Sequence, residues 1–328
     1  MPENLPALVA QKFQSALAAK ELIFSSTELT VIRTSSGLPF QLRYCPALAK
    51  KPTSTTPKSS ATAKRVDPFE DPIELLHIAS IPPTDSSHVL VLNKYPVIRN
   101  HFILATKQNK PQTHQLEEDD LAITLQCIQD WERDGNRRLY AFFNSGAHSG
   151  ASQPHRHLQF LPVESMSHQE GSASWTLMTD RIIASSEKLL PFAYFHVKFT
   201  SDISPGQLHR EYLNLYNAAE RSVRTYISSS CGDLQLHPTG GGDLPISYNL
   251  AMTSEGLIIA PRRREGIAVR DDQEGFVALN GTVLSGSLMV KDALEYEILQ
   301  KRLHVLDELL ISIGIPHHAE DGEGPNKL

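Results

Sequence analysis

The sequence predicts an α+β fold, a mainly antiparallel sheet flanked by helices, and three patterns carry that reading. Strand-like runs fall in adjacent pairs, 88–94 with 101–106 across a Pro-containing turn and 247–253 with 257–261. Helical apolar periods at 116–135 and 206–228 supply amphipathic faces to cover such a sheet. Around the first of them the order runs strand, helix, strand, loop, strand, at 101–106, 116–135, 139–144 and 155–162.

In chain order, Leu8, Val9, Phe13 and Leu17 recur at helical spacing behind an Asn4 cap, predicting a helix over 4–20. Residues 30–44 mix β-branched side chains with a turn signal at Gly37, consistent with a hairpin. Lys, Pro, Ser and Thr dominate 49–68, which reads as a mobile loop. Leu121, Leu125, Ile128 and Trp131 form the stripe of the 116–135 helix; Glu117, Glu118, Asp119 and Asp120 suit its positive end, and Gly135 closes it. The stretch 165–188 is expected to be helical in its second half, with a strand at 194–199. Leu208, Tyr212, Leu215, Ala219, Val223 and Ile227 mark the helix 206–228. The glycine-rich loop 238–243 reads first as a flexible connection, since glycine alone is weak evidence for phosphate binding. Residues 284–290 lead to Lys291, and a single final helix is expected over 292–314, closed by Gly314 and Pro316. There is no internal repeat.

Composition narrows the class of partner. At 328 residues the chain can bury a substantial core, and 40% hydrophobic with 21% charged is ordinary for a globular protein. A net charge of −6 argues against a general nucleic-acid surface, so any nucleotide contact has to come from a local pocket. Cys45, Cys127 and Cys231 are odd in number, widely spaced and free of a CxxC pattern, which reads as reduced thiols. No apolar run reaches membrane-spanning length, and Met-Pro-Glu-Asn-Leu-Pro lacks the regions of a signal peptide. Cytoplasm, or nucleus, is the expected compartment, with no membrane partner.

The chemistry concentrates in Gly150-Ala-Ser-Gln-Pro-His155-Arg-His157-Leu-Gln159-Phe-Leu-Pro162. On a strand over 155–162, His155, His157 and Gln159 share one face while Leu158 and Phe160 point into the core. Upstream, Asn144-Ser145-Gly146 and Ser149-Gly150-Ala151-Ser152-Gln153 supply hydroxyls and backbone N–H groups that can wrap an anion. A nucleophile beside an anion cradle is the arrangement that phosphoryl or nucleotidyl transfer requires. A neutral imidazole with pKa near 6.5 can act as that nucleophile at pH 7. A zinc pair from His155 and His157 is the competing reading; it would need a remote third ligand such as His88, His101 or His148, and no metal site is expected. A nucleotide-binding protein without turnover is a further alternative.

His-Arg-His-Leu-Gln after Asn-Ser-Gly and Gly-Ala-Ser-Gln resembles the histidine-triad superfamily, in its His-x-His-x-Gln transferase branch. That branch holds galactose-1-phosphate uridylyltransferase and the fungal ATP adenylyltransferases, or diadenosine tetraphosphate phosphorylases. The second is the closer match, because 93–104, 142–146 and 247–252 also resemble it in the right order. The likeness runs from about residue 40 to about residue 314.

The resemblance implies a histidine-triad-like fold, with 1–200 as the nucleotidyltransferase half, 201–316 completing the same fold and pocket, and 317–328 a polar tail. It implies phosphorolysis of diadenosine tetraphosphate to ADP and ATP, reversibly, with inorganic phosphate as second substrate. It assigns the nucleophile to His157, leaving His155 to orient or polarise. His157 then needs its other ring nitrogen to donate to an acceptor such as a backbone carbonyl. Gln159 stands where the hydrolases carry a third His; a carboxamide can donate to phosphate oxygen but cannot deliver a proton, which favours transfer over hydrolysis. A dinucleoside polyphosphate hydrolase is the alternative within the superfamily. Lys51, Asn93, Lys94, Asn144, Ser145, Gly150, Ala151, Ser152, Gln153, Asn280, Gly281 and Lys291 are expected to contact substrate. A divalent cation, with Mg2+ first in line, would arrive with the nucleotide, and no tightly bound cofactor is expected. A monomer or weak homodimer is expected.

Overall fold

Asn4 caps the first helix, α1 (Leu5–Ala18): its Oδ1 accepts from the N–H of Ala7 at 3.1 Å, and Pro6 stands in the first turn where no donor is needed. The structure, a computed structural model, describes residues 2–50, 67–167, 171–200, 202–230, 232, 234–270 and 275–317. Lys51, Cys231 and most of the 49–68 loop and of the polar tail lie outside these residues.

Strands β1 (Glu28–Arg33) and β2 (Pro39–Tyr44) form the expected hairpin. After β3 (His77–Ile81), which the sequence reading missed, come β4 (His88–Leu92) and β5 (Phe102–Thr106). Helix α2 (Glu118–Glu132) begins on a capping box made by Glu117 and Asp120. Strands β6 (Leu139–Ser145) and β7 (His157–Pro162) follow, then the short helices α3 (Val163–Ser167) and α4 (Met178–Ala184). Next come β8 (Phe195–Lys198), α5 (Pro205–Ser229), β9 (Ser247–Thr253) and β10 (Gly256–Arg262). The chain ends with β11 (Gly266–Ala268), β12 (Phe276–Ala278), β13 (Ser287–Val290), α6 (Ala293–Lys301) and α7 (Leu303–Ile313). The single helix expected over 292–314 is therefore two. It breaks at Arg302, whose backbone (φ −116°, ψ 87°) leaves the helical region so that the apolar side of α7 can turn into the core.

Eight strands pair in the order β3-β4-β5-β7-β6-β9-β10-β8, every neighbour antiparallel. A second sheet, β1-β2-β13, has β13 parallel to β2, and β11 with β12 makes a separate hairpin. Side-chain alternation splits the large sheet into two faces. Leu104, Leu158, Phe160, Phe143, Leu250 and Leu257 pack against α1, α2 and α5 in one core. On the other face, Tyr140, Phe142, Leu161, Ala251 and Ile258 meet α4, α7 and the second sheet. At the β4–β5 end of that face Val89, Val91, Ile103 and Ala105 gather under Phe69. Between these two apolar patches stand His157 and Gln159, paired across the ladder with Ala105 and Ile103. The fold thus sets these two polar side chains in the gap between apolar patches, at the middle of its sheet.

Candidate functional site

Regular pairing of β7 starts at His157, and the residue is held there by an unusual insert. Gln112, itself buried, accepts the His157 N–H on Oε1 at 2.7 Å and donates through Nε2 to the carbonyls of Asn144 (2.9 Å) and His157 (3.2 Å). Its carboxamide takes over as bridge between β6 and β7 where their ladder stops at Phe142 and Gln159. The His157 ring is 3% exposed as a residue and lies 5.2 Å, centroid to centroid, from Phe69. Its Nδ1 donates to the carbonyl of His155 at 2.8 Å, which leaves the lone pair of a neutral ring on Nε2.

His155 works by another route than a shared catalytic face. Its Nδ1 lies 2.7 Å from Asp67 Oδ2, and its Nε2 lies 2.7 Å from the Thr106 carbonyl oxygen and 3.0 Å from the Thr106 hydroxyl. Both ring nitrogens are spent on protein partners and the residue is buried, so His155 is a positioning residue that acts through its carbonyl. The same contacts exclude it from a zinc pair. The cause is local: His155 precedes the strand and is tied by an isolated bridge to Pro111, which turns its ring under Phe69.

Gln159 is half-buried beside His157, and its orientation is set by a relay. The Tyr95 N–H donates to Asn93 Oδ1 (2.9 Å), Asn93 Nδ2 lies against the His101 ring (3.2 Å from Nδ1, 3.5 Å from Nε2), and His101 Nε2 donates to Gln159 Oε1 (3.0 Å). With its oxygen committed to His101, the carboxamide presents its NH2 to the gap, the donor that a phosphate oxygen needs. Asn93 thus enters the site through His101. Lys94 is half-buried just beyond β4, its carbonyl accepting from the Ile23 N–H at 2.9 Å.

The loop after β6 supplies the cradle. Ser149 folds it by donating from Oγ to the Gly146 carbonyl at 2.7 Å. Gly150 has φ +77°, a left-handed backbone, and a Cβ there would lie 2.8 Å from Asn280 Cβ and 3.0 Å from the Leu279 carbonyl. The backbone N–H groups of Gly150, Ala151 and Ser152 make no hydrogen bond within the described residues, and Ala151 and Ser152 are exposed. That is the donor supply of an anion nest. Gln153 is half-buried at its end.

Asn144 and Ser145 play different parts from those the sequence suggested. The buried Asn144 Oδ1 accepts from the Gly281 N–H (2.7 Å) and from Asn249 Nδ2 (2.9 Å). Asn249 in turn accepts from Arg262, a buried guanidinium whose pKa burial pushes down to about 9 and which also donates to the Leu279 carbonyl at 2.9 Å. Asn144 therefore anchors the 279–281 segment against the cradle. Ser145, one residue on, alternates to the opposite face, is fully buried and cannot reach the gap. Asn280 spends Oδ1 on the N–H (3.0 Å) and hydroxyl (2.9 Å) of Thr282, starting a short 3-10 turn, and touches Gly150 through its Cβ edge. Lys291 stands exposed just past β13, beyond the smaller sheet.

The strands thus gather His157, Gln159, Asn144 and the 150–153 loop, and draw in Asn280 and Gly281 from far along the chain. Gln112, His101, Asp67, Asn249 and Arg262 were not read as site residues. Gln112 and Asp67 sit in irregular loops with no local signal, and Arg262 is buried although two further arginines follow it. The glycine-rich 238–243 loop packs against Thr113 and His114, whose region receives the Asp243 carboxylate and Gly242. Among the described residues no group of three His, Cys, Asp or Glu is placed to hold a metal ion.

Comparison with known proteins bears on the whole chain. Residues 1–176 match the family described as Ap4A phosphorylase N-terminal domain, and residues 188–316 match the ATP adenylyltransferase C-terminal domain. Two proteins of Saccharomyces cerevisiae, Protein APA1 and diadenosine 5',5'''-P1,P4-tetraphosphate phosphorylase 2, are each 25% identical to it. These alignments cover 100% and 99% of this chain and 98% of each relative. The crystal structure of yeast Ap4A phosphorylase Apa2 in complex with Ap4A superposes with a TM-score of 0.76 at 23% identity, over 97% of this chain and 100% of that one. The complex of the same yeast enzyme with AMP gives 0.73 at 22% identity, over the same shares of the two chains. At these identities the structural likeness establishes the fold.

Proposed function

This chain belongs to the Ap4A phosphorylase family, and from that premise we propose that it cleaves diadenosine tetraphosphate with inorganic phosphate, giving ADP and ATP, with His157 carrying the adenylyl group between two half-reactions. In the first, the Nε2 lone pair attacks the α-phosphorus, a P–N bond forms, the bond to the bridging oxygen breaks and ATP departs. In the second, a phosphate oxygen attacks the same phosphorus, the P–N bond breaks and ADP leaves with His157 restored. The cycle runs in either direction.

The observation that carries this reading is the pair of fixed side chains at 157 and 159. The His155 carbonyl holds the His157 proton on Nδ1, and His101 turns the Gln159 NH2 toward the gap. The amides of 150–152, which make no hydrogen bond within the described residues, offer further donors to phosphate oxygens. Position 159 carries no proton donor of the acid kind, which suits leaving and entering phosphates that need little protonation and leaves water a poor acceptor. A divalent cation, Mg2+ by its preference for phosphate oxygens, would travel with the nucleotide as part of the substrate. Cytoplasmic action as a monomer or weak homodimer completes the proposal. The free thiols of Cys45 and Cys127 suit a reducing compartment.

The test is incubation with labelled diadenosine tetraphosphate, with and without phosphate, for the wild type and His157→Ala. Label is expected to remain on wild-type protein without phosphate and to leave as ADP when phosphate is added. Product formed equally without phosphate, or full turnover by the variant, would overturn the proposal.

A further inference from the structure

Phe69 lies outside every strand and helix, yet it is only 5% exposed and packs on both histidines of the site. Its ring meets the His157 imidazole at 5.2 Å between centroids, tilted by 38°, and the His155 ring edge-on at 5.4 Å. Val89, Val91, Ile103 and Ala105 form one apolar cluster with it. Ala105 is the ladder partner of His157 and Ile103 that of Gln159, so the aromatic ring walls the reacting imidazole on its β5 side.

Asp67 holds the ring there. Its Oδ1 accepts the Phe69 N–H at 2.9 Å, closing an Asx turn across Pro68. Its Oδ2 accepts from Asn109 Nδ2 at 2.8 Å and lies 2.7 Å from His155 Nδ1. One carboxylate thus ties the Phe69 turn to the residue whose carbonyl orients His157. Phosphate binds through donors, such as the Gln159 NH2, and gains nothing from an apolar wall. Water does not gain either: the wall offers it no hydrogen-bonding partner beside the imidazole. That matters for the adenylyl-histidine, whose phosphorus is open to both acceptors. Attack by water would break the P–N bond, place the water oxygen on AMP, leave its proton to solvent and restore His157 without making ADP.

We propose that Phe69, fixed by Asp67, shields adenylyl-His157 from water and so keeps the second half-reaction a transfer to phosphate, an assignment that rests on the phosphorolysis reading above. The experiment loads the enzyme from labelled diadenosine tetraphosphate without phosphate, removes ATP and unreacted substrate, and follows label leaving the protein as AMP. Phe69→Ala is expected to release AMP about tenfold faster than wild type. Phe69→Leu, which keeps an apolar side chain at the wall, should stay closer to wild type than to Phe69→Ala. Asp67→Ala, which unties the turn but leaves the ring, should also leak. The rate is counted per labelled molecule, so partial unfolding of a variant does not move it. Release from Phe69→Ala no faster than wild type, or from Asp67→Ala should the first variant not fold, would overturn the shield while leaving phosphorolysis standing. Equal leakage from Phe69→Leu and Phe69→Ala would overturn it too. Wild-type enzyme that takes no label would overturn both readings together.

Discussion

His101 Nε2 lies 3.0 Å from Gln159 Oε1, and this contact decides which end of the carboxamide faces the phosphate gap. Asn93 Nδ2 packs against the same ring, 3.2 Å from Nδ1 and 3.5 Å from Nε2. Replacement of His101 by Leu frees the carboxamide to rotate. We expect kcat/KM for the dinucleotide to fall about tenfold, the worth of one oriented hydrogen bond. His101→Gln, whose amide can still donate, should recover part of the loss. Steady-state rates of the two variants check this, and equal activity of His101→Leu and wild type would contradict it.

Gln112→Ala removes the bridge between β6 and β7 and leaves the His157 N–H and the Asn144 carbonyl without their partner. Buried groups left unpaired cost about 1–3 kcal/mol each, so the urea midpoint should drop by the equivalent of about 2–6 kcal/mol. Turnover should fall further than stability alone explains, measured at a temperature where the variant is fully folded, since the His157 backbone loses its clamp.

For Asn144→Ala the expectation is a double loss, because its Oδ1 serves both the Gly281 N–H and Asn249 Nδ2. A destabilisation of about 2 kcal/mol is expected by thermal or chemical unfolding. A raised KM for the nucleotide should accompany it as the 279–281 segment drifts from Gly150.

Acid stability should follow Asp120. Burial pushes this carboxyl up, but the hydrogen bond with His88 and the charge of Arg156 pull it down further, for a net value below 3.8. A carboxyl depressed in the folded state stabilises above its unfolded pKa, and that contribution is lost as pH falls through the folded value. Wild-type stability should therefore decline as pH falls from about 5 through the folded value, which lies below 3.8. Asp120→Asn should be less stable at pH 7 and show a shallower decline over that window, measured by denaturant midpoints across pH.

Much of this architecture was legible because it depends on period. The stripe Leu121–Leu125–Ile128 placed α2, the register of α5 followed from Leu208, Tyr212 and Leu215, and the alternation His157–Leu158–Gln159–Phe160 placed two of the site residues on one face. What escaped depends on contacts across long stretches of chain. His155 obeys the same alternation on paper, yet Asp67, 88 residues away, draws its ring into the protein. Arg262 sits in a basic run but is buried because Asn249 and four backbone carbonyls receive it. Ser145 belongs to a motif that suggests substrate contact, while strand geometry turns it the other way. The break at Arg302 has no Gly or Pro to announce it.

Strand β6 joins β7 on one side and β9 on the other, so the two matched regions of the chain are hydrogen-bonded to each other there, and again where β13 joins β2. Cutting the polypeptide between Ala184 and Phe195 would strip β6 of a neighbour and leave its donors and acceptors open to solvent. Neither fragment would carry a working centre: one would own the imidazole, the other the asparagine and arginine that keep the surrounding scaffold in place. The halves are therefore tethered pieces of one machine, and swapping either between relatives would demand matching borders as well as matching motifs.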